Sequence, residues 1–294
     1  MGLIKGFNKF QEKIPALSGK KIAILPIYAI CMITIAFTVY VTFDSLPAVL
    51  TASGTNEIVL SFLPILGVII IEISGFLLVW QVWLWRDHLK AKYGPTSYQR
   101  VFLVGFAGIL WIITIAANQY IPYYSFAKGF WTSSPLQALA TPLETFLGTA
   151  SLIVFYIKDA LAVILFILGL LTCTRAVQTF GFDYMFVVYL YFPEESQIQE
   201  NEIYSALRHP VYAGGLLIAL GGAFLTFTLF SFATYVILLI GFYLHVHLVE
   251  EKELIQRFGD SYREYRKKVP AFFVSPRNIG TFLRFLFKKA AISY

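Results

Sequence analysis

The chain has 294 residues, 58% of them apolar or aromatic and only 14% charged, with a mean hydropathy of +0.70. A soluble domain carries roughly a quarter charged residues, so this balance excludes an ordinary globular enzyme, a disordered chain and a disulfide scaffold. The net charge of +6 then reads as the basic cytoplasmic face of a polytopic membrane protein rather than a nucleic-acid footprint.

Residues 1–21 place Leu3, Phe7, Phe10, Ile14 and Leu17 at helical spacing with lysines between them. This pattern predicts an amphipathic helix on the inner membrane surface, not a cleaved signal peptide. Six spans follow, at Ile22–Phe43, Ile58–Trp85, Val101–Asn118, Ala160–Phe180, Val211–Phe230 and Phe232–Leu248. Thr145–Ile157 is also apolar. It reads either as a re-entrant piece or as the start of one long, tilted fourth helix. Six spans gather all of the 23 lysines and arginines except Lys128 and Lys158 on one side. The rule that positive charge stays inside then puts both termini in the cytoplasm. Cys31 and Cys173 sit inside apolar runs and read as small core residues. The expected class is an all-α polytopic bundle of about six transmembrane helices, with interfacial helices at both ends. Its divisions are an interfacial helix 1–21, an accessory region 22–159, a core 160–276 and a basic tail 277–294.

Polar residues at membrane depth ask for a reason. Glu72 is either a substrate or proton site, or a protonated carboxyl bonded to a neighbouring helix. Arg175 reads as an interface or cofactor charge. Only four histidines are present, His88, His209, His245 and His247, which excludes the histidine-box di-iron enzymes. His245 and His247 are two apart and cannot share a helical face, whereas His247 aligns with Glu250 and Glu251. A metal site from His247, Glu250 and Glu251 is the minor reading.

Two segments carry chemistry. Arg208-His209-Pro210-Val211-Tyr212 stands where the fifth span begins, with Pro210 suited to a first helical turn. Arg208, His209 and the helix N-terminus favour an anion. Gly215, Ala219 and Ala223 form a small-residue stripe, for close helix packing or for a flat ligand. Glu250 and Glu251 close the sixth span, where a partly negative helix end disfavours acids unless a cation is near. The turn between spans five and six is short, so the anion and cation sites converge on one face. A zwitterionic amino acid group fits between them.

Together, Arg208-His209-Pro210-x-Tyr212-x-Gly214 and Glu250-Glu251-x-x-Leu254-x-x-x-Phe258-Gly259-x-x-Tyr262-x-x-Tyr265-x-x-x-Val269-Pro270 resemble the isoprenylcysteine carboxyl methyltransferase and phospholipid methyltransferase superfamily. The resemblance covers about Ala160 to Pro276. It implies S-adenosylmethionine as methyl donor, a membrane lipid or prenylated acceptor, and no metal or nucleic acid. It implies Tyr204, Arg208, His209, Tyr212, Gly215, Glu250 and Glu251 as cofactor-binding residues, with Arg208 and Glu251 as the catalytic pair. Glu202-Ile203-Tyr204-Ser205 departs from the family's Gly-Pro-Tyr-Arg, and Ala271 stands where arginine is common. Two rival readings are an NADPH-dependent sterol-type reductase and a non-catalytic scaffold of the same fold.

Overall fold

A computed structural model describes residues 5–17, 19–120, 134–186 and 188–287. Leu3, Lys128, Lys288 and Lys289 of the sequence reading lie outside these. The described residues are all-α, with no strand. In chain order the helices are α1 (Phe7–Glu12), α2 (Ile24–Thr51), α3 (Glu57–Leu84), α4 (Arg86–Tyr93), α5 (Ser97–Asn118) and α6 (Ser134–Ala140). They continue as α7 (Ser151–Phe180), α8 (Pro210–Thr226), α9 (Leu229–His245), α10 (Glu251–Phe258), α11 (Asp260–Lys268) and α12 (Ile279–Phe287).

Five helical stretches are long and apolar enough to cross a bilayer: Lys21–Thr51, Glu57–Leu84, Arg86–Asn118, Ser151–Phe180 and Leu229–Phe258. The apolar α8, with 17 residues, is shorter. The fifth expected span is therefore the shortest, packed between longer neighbours. The apolar 145–157 stretch divides: its first part lies in a 3₁₀ segment, Leu143–Ala150, broken at Gly148, and from Ser151 it is the start of α7, a single helix of 30 residues. Isoleucines such as Ile24, Ile27 and Ile30 face outward, as lipid contact requires. Cys31 is among the exposed residues rather than in the core.

α7 and α8 make the closest helix pair, and glycine makes it possible. A Cβ on Gly169 would lie 2.7 Å from the Gly214 carbonyl, and one on Gly221 would lie 2.9 Å from the Ala162 carbonyl. The small-residue contact with α7 thus runs through Gly214 and Gly221. Gly215 points elsewhere, and Ala219 packs in the core with Leu238 and Phe242. The α8–α9 turn is tight. Phe227 takes a left-handed conformation, and Thr228 caps α9 through a reciprocal bond with Ser231. The cap starts α9 at Leu229, so the expected break at Phe230 and Ser231 falls inside the helix.

Glu72 is 4% exposed and lies where α3 meets α9. A Cβ on Gly241 would stand 1.9 Å from its carboxyl oxygen, so glycine there makes room for the acid. Arg175 donates to the Leu286 carbonyl at 3.0 Å and so ties α12 to α7, which makes it a tether.

The N-terminal α1 does not lay its apolar face on lipid. Phe10 and Ile14 are buried, and Phe10 meets Phe102, Phe182 and Phe186 edge-on or tilted. Lys13 and Lys9 reach Glu195 at 2.6 and 3.0 Å. The Lys13 hydrogen bond holds the Glu195 carboxyl below its ordinary range. A depressed carboxyl stabilises the docked state above the unfolded carboxylate range, and the contribution disappears as pH falls through its folded value. At pH 7, Glu195→Gln is expected to speed hydrogen exchange of residues 7–14 about two- to fivefold, the scale of a part-exposed ion pair. Unchanged exchange would show that the aromatic contacts alone hold α1.

Candidate functional site at the α8–α9 hairpin base

Pro210 opens α8 and His209 is its N-cap residue. The backbone N–H groups of Arg208 and His209 donate to the carbonyls of Pro270 and Ala271, at 2.9 and 3.1 Å. The Val269–Phe272 segment therefore returns over the start of α8, bringing the two sequence blocks together. Tyr265 clamps the same region by donating to the Tyr204 carbonyl at 2.6 Å.

The charged side chains interlock. Arg208 donates to Glu251 Oε1 from Nε at 3.0 Å and from Nη2 at 2.6 Å. Its Nη1 donates to the Arg266 and Val269 carbonyls. Arg266 Nε lies 3.2 Å from Glu251 Oε2, an ion pair without hydrogen-bond alignment. His209 Nδ1 is 3.6 Å from Glu250, and its Nε2 is 3.4 Å from Glu251. Burial works against a charged His209, but the two carboxylates outweigh it and raise its pKa.

The cluster forms one end of a cavity of about 830 Å³, a size typical of small-molecule sites. Tyr204, Arg208, His209, Tyr212, Gly215 and Glu250 all line it. Glu251 does not: at 1% exposure it sits behind the wall and fixes Arg208. The lining on α5 runs from Tyr98 to Ala117, roughly 28 Å at 1.5 Å per residue. Beyond the charged end the wall is apolar, with Phe76, Val79, Ile112 and Phe166 among its residues. The accessory region thus builds about a third of the cavity wall.

Periodicity misplaced the histidines of α9. The segment Val246–Glu250 is a π turn, whose i→i+5 repeat stacks residues five apart. His245 and Glu250 accordingly share the cavity face. His247 turns away, with its Nδ1 2.9 Å from the Tyr243 carbonyl and its ring stacked on Tyr243. No group of three or more metal-ligating side chains exists among the described residues. Sequence reading also missed Trp83 and Tyr189 in the cavity wall. Only long-range packing places them there.

These features define an integral membrane bundle with a long apolar cavity closed at one end by paired charges. Residues 157–261 match the model of the phospholipid methyltransferase family. Three relatives are isoprenylcysteine O-methyltransferases by name. The protein-S-isoprenylcysteine O-methyltransferase of Schizosaccharomyces pombe is 41% identical over 69 residues, 24% of this chain and 29% of the relative. That of Saccharomyces cerevisiae is 32% identical over 132 residues, 45% of this chain and 49% of the relative. A probable member from Oryza sativa subsp. indica is 24% identical over 189 residues, 64% of this chain and 93% of the relative. The chain therefore spans about three-tenths and half of the two yeast relatives. No solved structure matches it. The matched segment is thus similar to the isoprenylcysteine carboxyl methyltransferase and phospholipid methyltransferase superfamily.

Proposed function

We propose that the chain is a membrane methyltransferase that uses S-adenosylmethionine to methylate the carboxylate of a prenylcysteine-type acceptor at the cytoplasmic face. The observation that carries this reading is a zwitterion-sized charged cluster at the end of an apolar cavity. The names and matches of the relatives support it.

The residues fit the donor. Glu250 Oε2 and the Tyr262 hydroxyl are buried without a hydrogen-bond partner among the described residues, and both residues line the cavity. Glu250 takes an ammonium group. His209 and the free N–H groups at the start of α8 take a carboxylate. Tyr204, Tyr212 and Gly215 border the rest. Arg208 spends its donors on Glu251 and two carbonyls, so it and Glu251 position the site and hold its charge balance. The bound donor supplies an electrophilic methyl group on a sulfonium. The chain aligns the acceptor with that methyl and excludes water.

The distribution of charge supports the cytoplasmic orientation. Lys13 meets Glu195, and Arg86 Nη1 lies 3.9 Å from Glu253, so the basic segments gather at the end that carries the cluster.

Calorimetry on the purified protein tests the donor. S-adenosylhomocysteine is expected to bind and NADPH is not. Binding of NADPH without S-adenosylhomocysteine would overturn the reading in favour of a reductase.

A further inference from the structure

The cavity wall holds two polar groups that the donor site leaves unused. Trp83, in the last turn of α3, and His245, the last residue of α9, meet edge to face with ring centroids 5.4 Å apart. Both line the cavity. The Trp83 indole Nε1 and the His245 Nε2 are buried, and neither has a hydrogen-bond partner among the described residues. His245 is 5% exposed and is enclosed by the rings of Phe76, Trp83 and Tyr212, at 5.5, 5.4 and 6.3 Å.

Leaving a buried donor unsatisfied is costly, about 1–3 kcal/mol. Two adjacent ones in the wall of a single cavity call for an occupant that satisfies both. An indole N–H can only donate, so the missing partner carries an acceptor oxygen. The pair lies where the cavity changes character. On one side, Glu250 shares the cavity face with His245 across the π turn, and Tyr212 adjoins His245. On the other side stand Phe76 and Val79, within the apolar part of the wall. A group held at this junction is the polar head of a molecule whose tail is apolar.

We propose that Trp83 and His245 form the subsite for the acceptor's carboxylate, an inference that rests on the reading above. Trp83 Nε1–H and His245, as its Nε2–H tautomer, each donate to the carboxylate and leave an oxygen lone pair facing the donor site. That oxygen attacks the methyl carbon. The new C–O bond forms as the methyl–sulfur bond breaks, and sulfur keeps the bonding pair. A sulfonium and a carboxylate become a neutral thioether and a methyl ester, with no proton transferred. Two neutral donors suit this step, because they fix the nucleophile without cancelling its charge. The accessory helix α3 thereby supplies part of the specificity for an oxygen acceptor.

The test uses the full chain in detergent, saturated with S-adenosylhomocysteine, and two probes: N-acetyl-S-farnesylcysteine and its carboxamide. The wild type is expected to prefer the carboxylate by about tenfold or more. Trp83→Phe and His245→Phe keep the ring packing. Each is expected to cut that preference to under about threefold and raise the acceptor Kd about tenfold, with S-adenosylhomocysteine affinity within about twofold of wild type. His245→Gln restores a donor and is expected to recover most of the preference. Folded variants that retain the wild-type preference would overturn the subsite. So would a parallel loss of S-adenosylhomocysteine affinity, which would place the pair in the donor site or the scaffold. Failure of the underlying reading looks different: the wild type itself would bind neither S-adenosylhomocysteine nor the farnesylcysteine, and the subsite would fall with it.

Discussion

Glu251→Leu is expected to weaken S-adenosylhomocysteine binding more than about 100-fold and to lower the midpoint of thermal unfolding by about 5–10 °C. The Arg208 and Glu251 side chains are only 7% and 1% exposed. Removing one partner strands the other charge in a low-dielectric site, at about 3–5 kcal/mol. For a chain of this size that is a shift of several degrees. His209 loses one of its two carboxylates at the same time, and Arg208 loses the anchor that sets its place in the cavity wall. The double variant Arg208→Met with Glu251→Leu separates structure from function. Replacing both members of a buried pair by apolar groups is often close to neutral for stability. Thermal stability is therefore expected to recover in large part, and binding is not. Recovery of binding in the double variant would show that the pair only props the fold and has no part in holding the donor.

The convergence at this site was legible because it follows from short-range chemistry. A hairpin with a very short turn must bring its two ends to one face, and Pro210 fixes where α8 starts. The remainder depends on contacts that a local pattern does not encode. The π turn at Val246–Glu250 shifts the helical phase by one residue, so His245 rather than His247 comes to share a face with Glu250. Phe7, Phe10 and Ile14 have the spacing of a lipid-facing stripe. The aromatic pocket of Phe102, Phe182 and Phe186, more than ninety residues away, competes for the same surface and takes Phe10. Glu72 left two readings open because a carboxyl at membrane depth suits both. Gly241 makes a hollow in α9 that the carboxyl fills, a placement that both readings allow. The apolar spans 22–118 gave no sign of whether they only pack. Their place opposite α7 and α8 turns Trp83, Ile109 and Ala116 into cavity wall.

The depth of that cavity leads to the other large effect, on acceptor length. Gly105 of α5 is level with Val82 of α3, beside Trp83, because a Cβ on Gly105 would lie 2.7 Å from the Val82 side chain. Ala116 is eleven residues further along α5, roughly 16 Å beyond the proposed carboxylate subsite at 1.5 Å per residue. It still lines the cavity. A phenylalanine there fills the space that the end of a long tail would occupy. Burial is worth about 0.8 kcal/mol per methylene, so expelling one five-carbon isoprene unit costs about 4 kcal/mol, or roughly 1,000-fold. Partial expulsion is expected to leave Ala116→Phe with a loss of about 100-fold in kcat/KM for a geranylgeranyl acceptor. A smaller loss is expected for farnesyl and almost none for geranyl. S-adenosylhomocysteine affinity is expected to stay at the wild-type value, since Arg208, His209 and Glu250 lie at the other end of the cavity. A uniform loss across the three tail lengths would mean that the tail does not run along α5. The apolar wall would then serve the packing of the bundle, and the acceptor would approach the cluster by another path.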